Sequence, residues 1–240
     1  MAMSMGGSSE ETAPGPQPSP LKIAVLASGR GSNLQALIDA QLRGALPITI
    51  VLVASDKGEA TALRRAERAG IATLALDPAG YFDRAAFDAD LFTRIGEHAP
   101  ALIVLAGFMR ILDPGVLAPW SGRIINIHPS LLPKYRGLRT HQRVLDAGDT
   151  EHGASVHFVG AELDGGPTIA QAHIPVCSGD TSATLAQRLL EHEHRLLLAC
   201  VALVAAGRVA LAGSSVAHDG VQLESPLRLG HDGTLVVASA

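Results

Sequence analysis

The stretch Asn126-Ile127-His128-Pro129-Ser130-Leu131-Leu132-Pro133 holds the residues most able to do chemistry. Side chains alternate faces along a strand, so Asn126 and His128 share one face. Histidine carries protons near neutral pH. An asparagine amide donates to a developing oxyanion without titrating. Pro129 then fixes the backbone directly after the pair. A carboxylate that could orient or charge His128 stands at Asp164, within Leu163-Asp164-Gly165-Gly166-Pro167. Bland readings stay open beside these: His128 as a hydrogen-bonded structural histidine, and Asp164 as turn chemistry before a Gly-Gly pair. His152 and His157 flank Ser155 in the segment before that turn. No metal is expected. The histidine-rich run Glu191-His192-Glu193-His194 alternates along a helix, which sends neighbours to different faces.

A second candidate is Ser28-Gly29-Arg30-Gly31-Ser32-Asn33, between an apolar run and a helical pattern. Two glycines permit a tight turn, and the free N–H groups of a helix start bind an anion. Ser32 and Asn33 add side-chain donors. The spacing opens like a dinucleotide fingerprint, and Asp56 near the end of the next apolar run fits one. The third glycine position, however, holds Leu34. A monophosphate site is the favoured reading, with a plain tight turn as the alternative.

The elements that position these residues follow from periodicity. Apolar runs at Lys22–Ala27, Ile48–Ala54, Ile71–Leu76 and Ala101–Ala106 read as buried strands. Helical patterns lie between them, including Glu59–Ala69 and Arg84–Glu97. Further strands are expected over Arg123–Ile127, Ala154–Val159 and Thr168–Ile174, with a short helix near Thr140–Ala147. A long helix over Thr181–Ala206 is capped by Asp180 or Thr181 and ended by Gly207. Alternation of this kind predicts an α/β fold: a mostly parallel, doubly wound, Rossmann-like sheet of about seven strands. Residues 1–20 read as a disordered leader. Residues 21–207 form the main domain, split near 120 into a phosphate-binding half and a catalytic half. Residues 208–240 suggest a hairpin or edge strands.

Composition removes several classes. The 240 residues carry a net charge of -4, which argues against a general nucleic-acid surface. Aromatics make up 3%, too few for a base-stacking platform. Cys177 and Cys200 have no disulfide-framework or zinc spacing. No apolar run is long enough to span a membrane, and the N-terminal stretch lacks a signal-peptide pattern. A cytoplasmic protein follows as the expectation.

Five ordered segments carry a family resemblance. They are Val25–Gln35, Leu105–Leu112, Asn126–Tyr135, His152–Phe158 and Glu162–Pro167. Over roughly Lys22 to Gly207 the chain resembles the phosphoribosylglycinamide formyltransferases, folate-dependent enzymes of purine synthesis. The resemblance implies two small-molecule substrates, glycinamide ribonucleotide and 10-formyltetrahydrofolate; a monomer or homodimer is expected only from the general prevalence of dimers. It implies a phosphate and ribose site at Gly31, Ser32, Asn33 and Glu193. It places the folate against Arg84, Met109, Arg110, Ile111 and Leu112, with Val159, Gly160, Ala161, Glu162 and Leu163 closing over the pterin. Asn126, His128 and Asp164 would be the catalytic trio, with Asp164 raising the histidine's pKa. The core motif also resembles methionyl-tRNA formyltransferase and formyltetrahydrofolate deformylase. The tRNA enzyme resembles this domain plus a C-terminal barrel, so chain length favours a stand-alone enzyme. The deformylase, a hydrolase, is the main alternative. A nicotinamide oxidoreductase and a silent binding protein rank behind it.

Overall fold

The structure is a computed structural model that describes residues 19–237; residues 1–18 of the expected leader lie outside them. β1 (Leu21–Leu26), β2 (Ile48–Ser55), β3 (Thr73–Ala75) and β4 (Leu102–Leu105) alternate with α1 (Ser32–Leu42), α2 (Thr61–Arg68) and α3 (Arg84–Glu97). A short helix α4 (Pro114–Leu117) precedes β5 (Ile124–His128), and α5 (Thr140–Asp146) follows it. Then come β6 (Glu151–Phe158), β7 (Thr168–Pro175) and the long α6 (Ser182–Ala205). Thr181 caps α6 in a reciprocal pair with Thr184, satisfying two end groups of the helix. Five short strands complete the chain: β8 (Val209–Ala212), β9 (Ser215–His218), β10 (Val221–Gln222), β11 (Leu227–Leu229) and β12 (Leu235–Val236).

The main sheet has nine strands in the order β12-β11-β7-β6-β5-β4-β1-β2-β3. Seven of them correspond to the strands read from the sequence. The two extra strands come from the C-terminal segment, where Leu227 pairs beside Ala170 of β7. β8, β9 and β10 form a separate three-stranded sheet. The pairing is parallel from β3 to β5, whereas β6 is antiparallel to both β5 and β7. β3 is shorter than expected because it has a single neighbour, β2, at the sheet edge.

Two apolar layers sandwich the sheet. One packs α1, α2, α5 and α6 through residues such as Leu34, Leu37, Val144, Leu189 and Val201. The other packs α3 through Phe87, Leu91 and Ile95. The central strands are apolar on both faces for this reason. Strand order reverses between β1 and β4, and open α/β sheets bind ligands at the carboxyl ends of strands near such a point. Among the described residues no helix is long and apolar enough to cross a membrane.

Candidate active site

Antiparallel pairing of β5 with β6 sets Asn126 opposite His157 and His128 opposite Ser155. The Asn126 Nδ2 donates to His157 Nε2 at 3.1 Å, and His157 Nδ1 lies 2.9 Å from the Phe158 carbonyl. A carbonyl can only accept, so Nδ1 carries the hydrogen and Nε2 is free to accept from the amide. This chain of bonds fixes which way the Asn126 amide points. Its Nδ2 also faces Asp164 Oδ1 at 3.4 Å.

His128 closes β5 and is buried. Its Nε2 lies 3.0 Å from the Tyr135 carbonyl, so that nitrogen holds a hydrogen. Its Nδ1 faces Asp164 Oδ2 at 3.4 Å. Asp164 does pull the His128 pKa upward as expected, but the net shift runs the other way. Burial pushes it below the ordinary histidine value, outweighing the Tyr135 carbonyl and the Asp164 charge. The resting ring is neutral at Nδ1, next to a carboxylate. Burial would raise the Asp164 pKa, but the neighbouring His157, the Gly137 N–H and, in acid where the ring is protonated, the His128 charge together bring it below the ordinary value. That direction favours an ionised Asp164 near neutral pH.

The loop between β5 and α5 is stapled in place. Ser155 Oγ donates to the Ser130 carbonyl at 2.7 Å and accepts from the Leu132 N–H at 3.0 Å. Gln171 Nε2 donates to the Leu132 carbonyl at 2.8 Å. Ser130 Oγ donates to the Lys134 carbonyl at 2.7 Å. Asp164 Oδ2 accepts from the Gly137 N–H at 2.9 Å, joining this loop to the 159–166 loop. Asp164 has φ +49°, a region that Asp and Asn tolerate better than most residues. Gly166 passes so close to the Phe158 carbonyl that a Cβ would collide with it.

The glycine-rich loop runs from the end of β1 into α1. Gly31 takes φ +69°, and a Cβ there would stand 2.8 Å from Ala62 Cβ. The close approach of α2 therefore demands glycine. The start of α1 has no side-chain cap, so the first N–H groups are open to a ligand. Asn33 Nδ2 donates to Glu193 Oε2 at 3.1 Å, joining α1 to α6, while Asn33 Oδ1 is buried without a partner. Burial raises the Glu193 pKa, opposed by the Asn33 donor. Leu34, at the would-be third glycine, is fully buried core.

One cleft opens beside Asn126, His157 and Asp164. It is walled by Leu105, Phe108, Arg110, Ile111, Leu112, Leu117, Val159, Gly160, Ala161, Glu162 and Leu163. The two loops assigned from the resemblance therefore face one another across it. Met109 and Arg84 are not on its wall. Met109 is exposed, with its N–H donating to Ser28 Oγ at 2.8 Å. Arg84 lies on the exposed start of α3, 3.9 Å from Asp113 Oδ2. Glu162 pairs with Arg136 at 3.2 Å at the surface. Sequence reasoning gave no role to Gln171 and left His157 as a mere neighbour. The period-2 pattern of β6 signals that His157 and Ser155 share a face, but only the β5–β6 register shows whom they face.

Behind His128, His141 Nδ1 and His152 Nε2 lie 2.9 Å apart, with rings edge to face. Burial pushes the His152 pKa down to about 4, and His141 adds to this. The unfolded chain would bind that proton near pH 6.5, the folded chain only near 4. The stability from keeping His152 neutral is thus complete above pH 6.5 and lost as pH falls towards 4. We expect the Tm to drop across that window, and less steeply in His152→Gln. An unchanged slope in the variant would contradict the assignment.

Comparisons with known proteins define the family. The formyl transferase family model matches residues 21–201, and the chain belongs to that family. Within it, the chain is 46% identical over 203 residues to phosphoribosylglycinamide formyltransferase of Escherichia coli strain K12, covering 85% of this chain and 96% of the relative. The solved structure of the Coxiella burnetii phosphoribosylglycinamide formyltransferase superposes with a TM-score of 0.81 at 45% identity, over 85% of this chain and 96% of that one. A formyltetrahydrofolate deformylase from Pseudomonas syringae pv. tomato reaches a TM-score of 0.75 at 25% identity, over 83% of this chain but 66% of that one. The resemblance read from the sequence is borne out, and the deformylase is the more distant neighbour.

Proposed function

We propose that this chain transfers the formyl group of 10-formyltetrahydrofolate to the amine of 5'-phosphoribosylglycinamide, in purine biosynthesis and in the cytoplasm. One observation carries the reading. β1 and β5 flank β4, so the anion-ready loop and the Asn126–His128 pair end two strand spacings apart, about 10 Å. That span suits a ribose phosphate with its amine at the far end. The cleft with aliphatic walls beside the pair suits the folate ring.

The glycine-rich loop would hold the phosphate through its open N–H groups, Ser32 and Asn33. Glu193, oriented by Asn33, would accept from the ribose hydroxyls. Attack of the neutral amine on the formyl carbon forms a C–N bond and yields an oxyanion and an ammonium. The Asn126 N–H that faces Asp164 across the long 3.4 Å contact would turn to the oxyanion. The neutral His128 would take a proton from the ammonium at Nδ1, becoming an imidazolium beside Asp164. That proton then goes to the folate nitrogen as the original C–N bond breaks and the carbonyl reforms. The low His128 pKa supports this base role, in place of a ring already protonated at rest.

Glu193→Ala should raise the KM for the ribonucleotide by about tenfold or more, leaving the KM for the folate near its starting value. Steady-state kinetics with each substrate varied in turn checks this, and equal changes in both would contradict the ribose assignment. The activity itself is tested by the absorbance change of the folate. It should require the ribonucleotide. Turnover with folate and water alone would favour the deformylase.

A further inference from the structure

The buried carboxylate of Asp88 has no place in the steps above, yet it lies beneath the cleft wall. Arg84, Phe87 and Asp88 stand at i, i+3 and i+4 of α3, hence on one face. All three reach the segment between β4 and α4. The Arg110 guanidinium lies over the Phe87 ring, 4.5 Å from its centre. Asp88 Oδ2 accepts from the Asp113 N–H at 2.7 Å. Arg84 pairs with the Asp113 carboxylate.

The segment is thus pinned at two points. At its start, Ser28 N–H donates to the Gly107 carbonyl at 2.9 Å, and Ser28 Oγ accepts from the Met109 N–H. At its end stands Asp88. Arg110, Ile111 and Leu112, which wall the cleft, are strung between the two anchors. Asp88 is fully buried, and its Oδ1 has no partner. Burial raises its pKa, while the Asp113 N–H and the Arg110 and Arg84 charges pull the other way. A buried oxygen kept for one backbone N–H, at a cost in desolvation, points to a need for that loop position.

We infer that Asp88 is a positioning residue for the folate-facing wall, acting through the Asp113 N–H to hold Arg110–Leu112 against the ring. This rests on the formyl-transfer reading. Its readout is a split between the two substrates, since loss of general stability would not weaken one ligand alone. Calorimetric titration with tetrahydrofolate and, separately, with glycinamide ribonucleotide provides the test.

Asp88→Ala should weaken tetrahydrofolate about tenfold and leave the ribonucleotide within about twofold. Asp88→Leu fills the space without an acceptor and carries the same expectation should the alanine variant fail to fold. Asp88→Asn keeps an acceptor oxygen and should bind tetrahydrofolate within about threefold of the starting protein. Unchanged tetrahydrofolate binding in the alanine or leucine variant would overturn the inference. So would equal weakening of both ligands, or a tenfold loss in Asp88→Asn. If the unaltered protein binds no tetrahydrofolate, the formyl-transfer reading fails first and takes this inference with it.

Discussion

Asp164→Asn is expected to lower kcat about a thousandfold with little change in fold. The substitution is close to isosteric, and asparagine tolerates the φ of +49° found there. Its amide oxygen can still accept from the Gly137 N–H. What disappears is the negative charge 3.4 Å from His128 Nδ1. Without it, the imidazolium formed after amine attack has no counter-charge in a buried site, where an unpaired charge is most costly. The new NH2 would also face the Asn126 amide, donor against donor, across the 3.4 Å contact. Loss of turnover should therefore appear in kcat, with the KM for the ribonucleotide changed little. Near-normal turnover in a folded Asp164→Asn protein would remove the carboxylate from the mechanism.

His128→Ala should cost a similar factor, about a thousandfold in kcat, for a different reason. It removes the proton carrier and leaves the Tyr135 carbonyl without its donor. Because the His128 pKa lies below the ordinary value, the acid limb of the unaltered enzyme's rate should fall below the pH at which an ordinary histidine titrates. The sign follows from the role: protonation at Nδ1 removes the base, so activity falls as pH falls. In His128→Ala the residual rate should lack that acid limb. The double variant with Asp164→Asn should be barely slower than either single one, since the two side chains act as a unit. Multiplicative losses would mean they act independently. The measurement is kcat against pH for all four proteins.

Asn126, His128 and Asp164 were legible because each signal is local. Two residues on one strand share a face by geometry alone, and a Gly-Gly turn marks where an aspartate leaves a sheet. Gly31 was legible for the same reason, although its true constraint, the approach of Ala62, comes from another helix. The roles of His157, Ser155 and Gln171 arise from how β5, β6 and β7 pair, and no spacing within one strand encodes register between strands. The sign of the His128 shift was missed because a charge pair is visible in residue types, whereas burial is a property of the packed molecule. β11 and β12 are three and two residues long, too short for an alternation signal, so the sheet was read as seven strands and not nine. Arg84 and Met109 came from the resemblance alone, and both lie off the cleft wall, where Arg84 instead braces Asp113.

The account centres on where the formyl group goes. The direct measurement supplies 10-formyltetrahydrofolate labelled with carbon-13 in the formyl group and follows the label by NMR, with and without glycinamide ribonucleotide. The account predicts that the label moves to the ribonucleotide amide, one for each folate released, and that it stays on the folate when the acceptor is left out. Label appearing as formate at the same rate with or without acceptor would contradict it.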